Sequence, residues 1–220
     1  MRWSLTLRVR VCAWLAAVFG AIPATAQTMD APADNAMTVY GSWREGGNFA
    51  DVANDQSVHL AGSGAWAVSY ERLLDPSRQL QFYFSYQSTR LKLDQGALTQ
   101  PAPSSTPAPL PLRVMYLHFG GTAFVDGPVG RGAYVVGGIG ATLFQPKTAG
   151  YSSEVHPSLN LGIGYEWPLA QHFALRMEAR GYATIVHSSG GLFCSGGCLI
   201  QIKADAVAQG EIQLGLSYSP

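Results

Sequence analysis

The stretch that decides the fold is Ser158-Leu-Asn-Leu-Gly-Ile-Gly-Tyr-Glu-Trp167, which alternates strictly between two kinds of residue. Its odd-numbered members, from Leu159 to Trp167, are apolar or aromatic, whereas its even-numbered members are small or polar. Successive side chains of a β-strand point to opposite faces, so a period of two predicts a strand with one wholly apolar face. The segment therefore predicts a strand that separates an apolar environment from a polar one.

The same alternation recurs along the chain. It is clear at residues 79–87, 173–180 and 211–218, and weaker at residues 39–43, 62–70, 113–119 and 133–143. The last of these is rich in glycine, so its facing is ambiguous. The total is eight predicted strands. No apolar run reaches the roughly 20 residues that a membrane-spanning helix needs.

The connections between the predicted strands alternate in length. Compact turns at residues 74–77, 126–128 and 168–171 alternate with longer loops at about residues 44–57, 94–111, 145–155 and 187–203. Short turns at one end and long loops at the other are typical of outer-membrane barrels, whose turns are periplasmic. Hydrocarbon offers no partner for backbone N–H and C=O groups, so such a sheet must close on itself. The prediction is an all-β fold, an eight-stranded antiparallel up-and-down transmembrane β-barrel.

Composition agrees with this fold class. Charged residues make up 13% of the chain, about half the usual share for a soluble domain. The formal net charge is zero, and no basic face or acidic tail favours a nucleic-acid partner.

The first residues predict export. Arginines at positions 2, 8 and 10 precede a short apolar stretch at residues 11–22, and Ala24-Thr25-Ala26 predicts cleavage before Gln27. We therefore divide the chain into a signal peptide (1–26), a short lead (27–36) and an outer-membrane barrel (37–220). The expected location is the outer membrane of a Gram-negative bacterium, reached with the help of periplasmic chaperones and the barrel-assembly machinery.

Two further features stand out in the exported part. Cys194 and Cys198 are its only cysteines, and in an oxidising compartment we expect them to form a disulfide within the last loop. Six charged residues fall on the predicted inward faces: Glu71, Glu166, Arg176, Glu178, Arg180 and Glu211. Charges of mixed sign in a narrow lumen are expected to pair. Such pairs predict a plug, and their rearrangement would make a gated ion path.

Three segments resemble strands of the outer-membrane β-barrel family that includes the OmpA-like and OmpX-like small barrels. They are residues 131–146, 161–169 and 174–182, and the loop 193–198 is similar to that of a proteobacterial subgroup. The resemblance covers the mature chain and implies architecture, not activity. One departure concerns the end of the chain. Family members usually end on an aromatic residue that the assembly machinery reads, whereas this chain ends at Pro220, so we expect the last strand to stop near Tyr218.

The resemblance also raises an enzymatic alternative, because some eight-stranded barrels are lipid A deacylases with a His-x-Ser pair and an acidic partner on the lipid-facing wall. His156-Pro-Ser158 and His187-Ser188 resemble parts of that pattern. However, Leu159 stands where the pattern has Asn, and Glu166 falls on the inward face. We expect no enzymatic activity, no metal and no cofactor.

The expected role is therefore structural: envelope integrity or surface contact through the extracellular loops, with outer-membrane lipid and lipopolysaccharide as surroundings and a surface partner at the loops. A narrow channel or porin is the main alternative. A soluble lipocalin-like binder would need the two faces reversed, with an apolar interior and a polar exterior.

Overall fold

The computed structural model describes residues 33–50, 57–93, 110–148, 152–186, 191–192, 200–201 and 206–220. The predicted signal peptide, the first part of the lead, the Cys194–Cys198 pair and the His187-Ser188 pair lie outside these residues. The chain divides into a segment at Met1–Ala31 and a compact unit at Pro32–Pro220. In the ranges given above, no helix is long and apolar enough to cross a membrane.

Eight long strands form the compact unit. They are β1 (Asn35–Gly46), β2 (Ser63–Asp75), β3 (Arg78–Leu93), β4 (Leu110–Phe124), β5 (Gly132–Pro146), β6 (Glu154–Ala170), β7 (Phe173–Ile185) and β8 (Ala206–Tyr218). Short strands at Asn48–Ala50 and Ser57–Leu60 extend the sheet beside β3, and Gly191–Leu192 pairs with Ile200–Gln201.

Each long strand pairs antiparallel with the next, and β1 pairs with β8, so the sheet closes into a barrel. The pairing can be followed once around the wall through Ala36, Glu71, Gln81, Gly120, Gly138, Asn160, Tyr182, Gln209 and Gly46. The path returns to β1 ten residues beyond its start. With eight strands, this stagger corresponds to a tilt of about 40° from the barrel axis.

The connections differ at the two ends, as the sequence predicts. At one end, which we call the turn end, short turns join β2 to β3, β4 to β5 and β6 to β7. The other end, the loop end, carries the longer connections. The eight predicted strands are confirmed, and the last one stops at Tyr218 as expected. All eight are longer than the alternation alone had marked, because backbone pairing continues past the clearest alternation into the loop and turn residues.

The two faces of the wall have opposite character. Along β6 the odd-numbered side chains from Leu159 to Trp167 are exposed on the outside, and Ser158, Asn160 and Glu166 are buried inside. The facing of the glycine-rich β5 is resolved as well: Tyr134 points inward and is 1% exposed, and Val135 beside it points outward.

Candidate functional site

The candidate site is the lumen, which is filled by charged side chains and tyrosines. The structure places all six charged residues of the predicted inward faces there, each no more than 3% exposed: Glu71, Glu166, Arg176, Glu178, Arg180 and Glu211. A seventh, Arg44, is 0% exposed. Our prediction that the first strand ends at Trp43, with Arg44 in a loop, was wrong. Arg44 continues the series of even-numbered, inward side chains that includes Thr38 and Tyr40. This parity is the sequence signal that could have identified Arg44 as a lumen residue.

Nearest the turn end, one arginine holds two carboxylates. Arg176 Nη1 lies 2.8 Å from Glu71 Oε1, and its Nε lies 2.8 Å from Glu166 Oε2. Glu71 Oε1 also accepts hydrogen bonds from Ser69 Oγ at 2.6 Å and from Gln81 Nε2 at 3.0 Å. When both carboxylates are ionised, this group, the turn-end cluster, carries one more negative than positive charge.

The middle of the lumen holds a second cluster. Arg180 Nε lies 2.6 Å from Glu178 Oε1. The same oxygen accepts a hydrogen bond from Gln213 Nε2 at 2.6 Å, while Tyr134 Oη donates to Glu178 Oε2 at 3.0 Å. The Arg180 guanidinium carbon lies 3.9 Å from the centre of the Tyr83 ring, close enough for a cation–π contact.

The third cluster joins the first and last strands. Arg44 on β1 and Glu211 on β8 are direct partners in the ladder, and Arg44 Nη2 lies 2.9 Å from Glu211 Oε2. The Arg44 guanidinium carbon lies 4.8 and 4.7 Å from the centres of the Tyr116 and Tyr182 rings, which stack on each other with their centres 4.3 Å apart. The hydroxyls of Tyr182 and Ser42 both donate to the Glu211 carboxylate.

These contacts explain how a lumen can hold so many charges. An ion taken out of water is costly unless it is paired and hydrogen-bonded, and removing one partner of a buried pair costs about 3–5 kcal/mol. Each lumen arginine has a carboxylate and also lies over a tyrosine ring. The three clusters therefore form a cross-linked polar filling that ties distant strands together.

An apolar layer lies beyond these clusters, towards the loop end. Its members are each no more than 4% exposed: Leu60, Leu91, Leu112, Val114, Phe144, Val186 and Val207. Moving an ion from water into apolar surroundings is costly. Ion pairs thus fill the lumen near the turn end and in the middle, and apolar side chains fill it nearer the loop end.

The His-x-Ser element is placed differently from a lipid-facing enzyme site. Ser158 is 5% exposed and faces the lumen, where its Oγ lies 2.9 Å from His118 Nε2 on β4. His156 Nε2 instead lies 3.0 Å from Glu154 Oε2. His156 and Ser158 therefore occupy inward positions of the strand, and each contacts a different residue instead of the other. In the part of the chain that the structure describes, no group of three His, Cys, Asp or Glu side chains is placed to hold a metal ion.

The outer face is apolar around the wall. Leu161, Ile163 and Ile212 are 69%, 65% and 63% exposed. Exposed aromatic side chains lie towards both ends: Trp43 and Trp66 near the loop end, and Tyr70, Trp167, Phe173 and Tyr218 near the turn end. Aromatic girdles on both sides of an apolar band are a feature of barrels in lipid. A soluble lipocalin-like barrel requires the opposite arrangement, so the structure argues against that alternative.

No family model matches the sequence, and no curated protein matches it. Solved structures do match. The crystal structure of Neisserial surface protein A has a TM-score of 0.54 and 13% identity, over 85% of this chain and 97% of that chain.

Two further structures have lower scores. Ail, the attachment invasion locus protein of Yersinia pestis, gives a TM-score of 0.44 with 11% identity over 85% of this chain and 98% of that one. The outer membrane protein AlkL gives 0.47 with 14% identity over 90% and 94%. The Neisserial match, whose TM-score exceeds 0.5, shows that this chain has the fold of a small outer-membrane β-barrel.

Proposed function

We propose that this chain is an outer-membrane β-barrel protein of a Gram-negative bacterium with a closed lumen and a non-enzymatic role in the envelope or in surface contact. The proposal rests on the opposite character of the two faces of the barrel wall. Apolar side chains are exposed around the wall, and seven charged side chains of the strands are buried within.

An apolar face of this extent favours lipid over water. Soluble monomers rarely expose contiguous apolar patches larger than a few hundred Å², whereas here large apolar side chains are exposed on the outside of every long strand. In a bilayer these apolar side chains lie against lipid tails, which are also apolar. The closed ladder leaves no sheet edge with unpaired backbone groups.

The lumen favours a plug over an open pore. Passage of an ion would require breaking at least one of the buried pairs, such as Arg176 with Glu71, and then entering the layer around Phe144. Both steps are costly. A role that depends on the wall and the loop end fits this interior better than transport does.

In this proposal, the loop end is the surface that contacts partners. We propose that the predicted signal peptide exports the chain, that periplasmic chaperones and the barrel-assembly machinery deliver it, and that the long loops contact a surface partner. We also propose that Cys194 and Cys198 form a disulfide in the last loop. A thiol titration of the denatured protein with and without reductant tests this, because a disulfide predicts two thiols that appear only after reduction.

Cell fractionation with surface proteolysis tests the main proposal. A protease site inserted into the loop at residues 94–109 is expected to be cut on intact cells, while the same site in the turn at residues 125–131 is cut only after the outer membrane is opened. The folded protein should also migrate faster than the boiled protein on gels. Recovery in the soluble periplasmic fraction would contradict the proposal.

A narrow channel is the second candidate, and one observation favours it. Several buried polar atoms in the lumen have no hydrogen-bond partner in the protein, among them Glu71 Oε2, Arg180 Nη1 and Thr38 Oγ1. Buried polar groups are normally satisfied, and water is the usual partner when protein is not. Planar-bilayer recording separates the candidates: steady unit openings of the purified protein support a channel, and silence supports the plug.

A further inference from the structure

Three basic side chains lie on the outer face at the loop end of neighbouring strands. They are Arg90 on β3, Arg113 on β4 and Lys147 directly after β5, and we call them the basic patch. Arg90 and Lys147 are exposed and Arg113 is half-buried. All three have the outward parity of their strands, because the buried residues of these segments, such as Thr89 and Leu112, have the opposite parity.

The structure brings the side chains of Lys147 and Arg113 into the same part of the wall. Lys147 Nζ donates a hydrogen bond to Ser88 Oγ at 2.9 Å, and Ser88 is the direct ladder partner of Arg113. Side chains directly opposite each other in antiparallel strands have Cβ atoms about 5 Å apart. Arg113 Nη1 donates to Gln145 Oε1 at 3.3 Å, which holds the guanidinium in this region.

No carboxylate neutralises the patch within the part of the chain that the structure describes, since Arg90, Arg113 and Lys147 are absent from every ion pair formed there. Arg113 Nε is shielded from solvent and has no hydrogen-bond partner. Like charges in adjacent positions repel, and a shielded N–H without an acceptor is costly. Among the described residues, the patch therefore carries an excess of positive charge.

The position of the patch indicates which anion. Arg113 shares its ladder row with Ser88 and Gln145, and in the next outward row towards the middle of the barrel the side chains are Tyr86, Met115 and Leu143. The Tyr86 ring stacks on that of Trp66, with ring centres 5.8 Å apart. Aromatic side chains of this kind mark the boundary between the apolar core and the headgroups. The patch thus lies where the apolar face ends and the headgroup level begins.

We propose that the basic patch binds the phosphate groups of a phosphorylated glycolipid in the outer leaflet, whose acyl chains lie along Tyr86, Met115 and Leu143. A guanidinium matches phosphate oxygens in a bidentate manner, and lysine adds a mobile positive charge. The inference rests on the proposed function, because it requires the loop end to face the outer leaflet.

The turn end provides a matched control. Arg72 and Arg78 are also exposed, but Arg78 is already paired with Asp75, its Nε lying 2.6 Å from Asp75 Oδ2. A control variant that replaces both with glutamine removes two positive charges from the opposite end of the barrel. Any loss of binding that reflects only the total charge of the protein would appear in this variant too.

The test is a titration of the purified mature protein, folded in detergent micelles, with diphosphorylated lipid A or with the same lipid lacking phosphates, and native mass spectrometry counts the bound lipid. The wild type is expected to bind the phosphorylated lipid about tenfold more tightly, the difference that one charge-assisted hydrogen bond supplies. The double variant Arg113→Gln and Lys147→Gln should lose this preference, and the Arg72→Gln and Arg78→Gln control should keep it. Heat-modifiable migration verifies that each variant is folded.

Three results would overturn the inference: no preference for phosphate in the wild type, an equal loss in the control variant, or full displacement of the lipid by inorganic phosphate at equal concentration. The last would mean that phosphate alone is recognised, without the lipid. Each result can occur in a protein that fractionates with the outer membrane, so failure here is distinguishable from failure of the proposed function.

Discussion

Arg44 and Glu211 face each other across the seam where the first and last strands of the barrel meet, with Arg44 Nη2 2.9 Å from Glu211 Oε2. The ion pair is fully buried, and the Arg44 guanidinium lies within 4.8 Å of the centres of two tyrosine rings. Closure of the sheet therefore rests on a side-chain pair as well as on backbone hydrogen bonds. The seam joins residues that are 167 positions apart in the chain.

The first prediction concerns this seam. Arg44→Met leaves the Glu211 carboxylate buried without its cation, and we expect a loss of about 3–5 kcal/mol in the free energy of unfolding. The double variant Arg44→Met and Glu211→Gln should recover part of that loss, because it removes the unpaired charge. Urea unfolding followed by tryptophan fluorescence measures both. Arg78→Gln, which breaks an exposed pair, is the control and should change little. Equal stability of Arg44→Met and the wild type would contradict a structural role for the pair.

The second prediction concerns the turn-end cluster. Arg176→Gln leaves two buried carboxylates without their shared cation, whereas Glu166→Gln keeps the 2.8 Å pair between Arg176 and Glu71. We expect Arg176→Gln to be much the more destabilised of the two. Urea unfolding followed by tryptophan fluorescence measures both variants. Equal urea midpoints of Arg176→Gln and Glu166→Gln would show that Arg176 does not hold both groups.

The third prediction concerns two glycines of the wall. A Cβ at Gly140 would collide with the backbone oxygen of Leu117 on the neighbouring strand, and backbone cannot move aside as a flexible side chain can. We expect Gly140→Ala to cost about 1–3 kcal/mol, as overpacking does. A Cβ at Gly41 meets nothing within 4 Å, so Gly41→Ala should change stability by no more than about 0.5 kcal/mol. Similar melting of the two variants in the same detergent would refute the close approach at Gly140.

The fourth prediction concerns pH at the turn end. The pKa of the Asp75 carboxyl is lowered, first because it accepts a hydrogen bond from the backbone N–H of Ser77 at 2.9 Å and also because Arg78 lies beside it. A lowered pKa means that the folded turn favours the ionised form. The resulting stabilisation is present above the usual aspartate pKa of about 3.9 and is lost as the pH falls through the lower value of the folded protein. An NMR titration of the carboxyl carbon checks this, and an Asp75 pKa equal to that of an unstructured peptide would contradict it.

The fold could be predicted from particular residues. Leu159 to Trp167 and Ile212 to Tyr218 alternate so strictly that their apolar faces were evident, and the spacing of turns and loops then set the strand number. The six inward charges followed from the same parity, with Glu166 and Arg176 the clearest cases. Parity is a local property of the chain, and local properties can be read without knowing the fold.

Other features depended on neighbours far away in the chain. Arg44 was placed in a loop because the short alternation before it ended at Trp43, whereas its pairing with β8 and β2 keeps that segment extended. The facing of β5 was ambiguous because glycine has no side chain to show a face. In the folded barrel the inward Gly164 makes room for the Tyr134 ring of that strand, a complementarity that the sequence of either strand alone does not contain.

What the sequence alone determined was a wall with one apolar and one polar face, because side-chain direction in a strand repeats every two residues. What only the tertiary structure decided was which charges meet. The ten-residue stagger of the closed sheet brings Arg176 to Glu71, and the closing seam brings Arg44 to Glu211. It also sets Lys147 beside Ser88 and Arg113 on the outside. These contacts depend on strand register and on closure of the sheet, which are properties of the whole barrel.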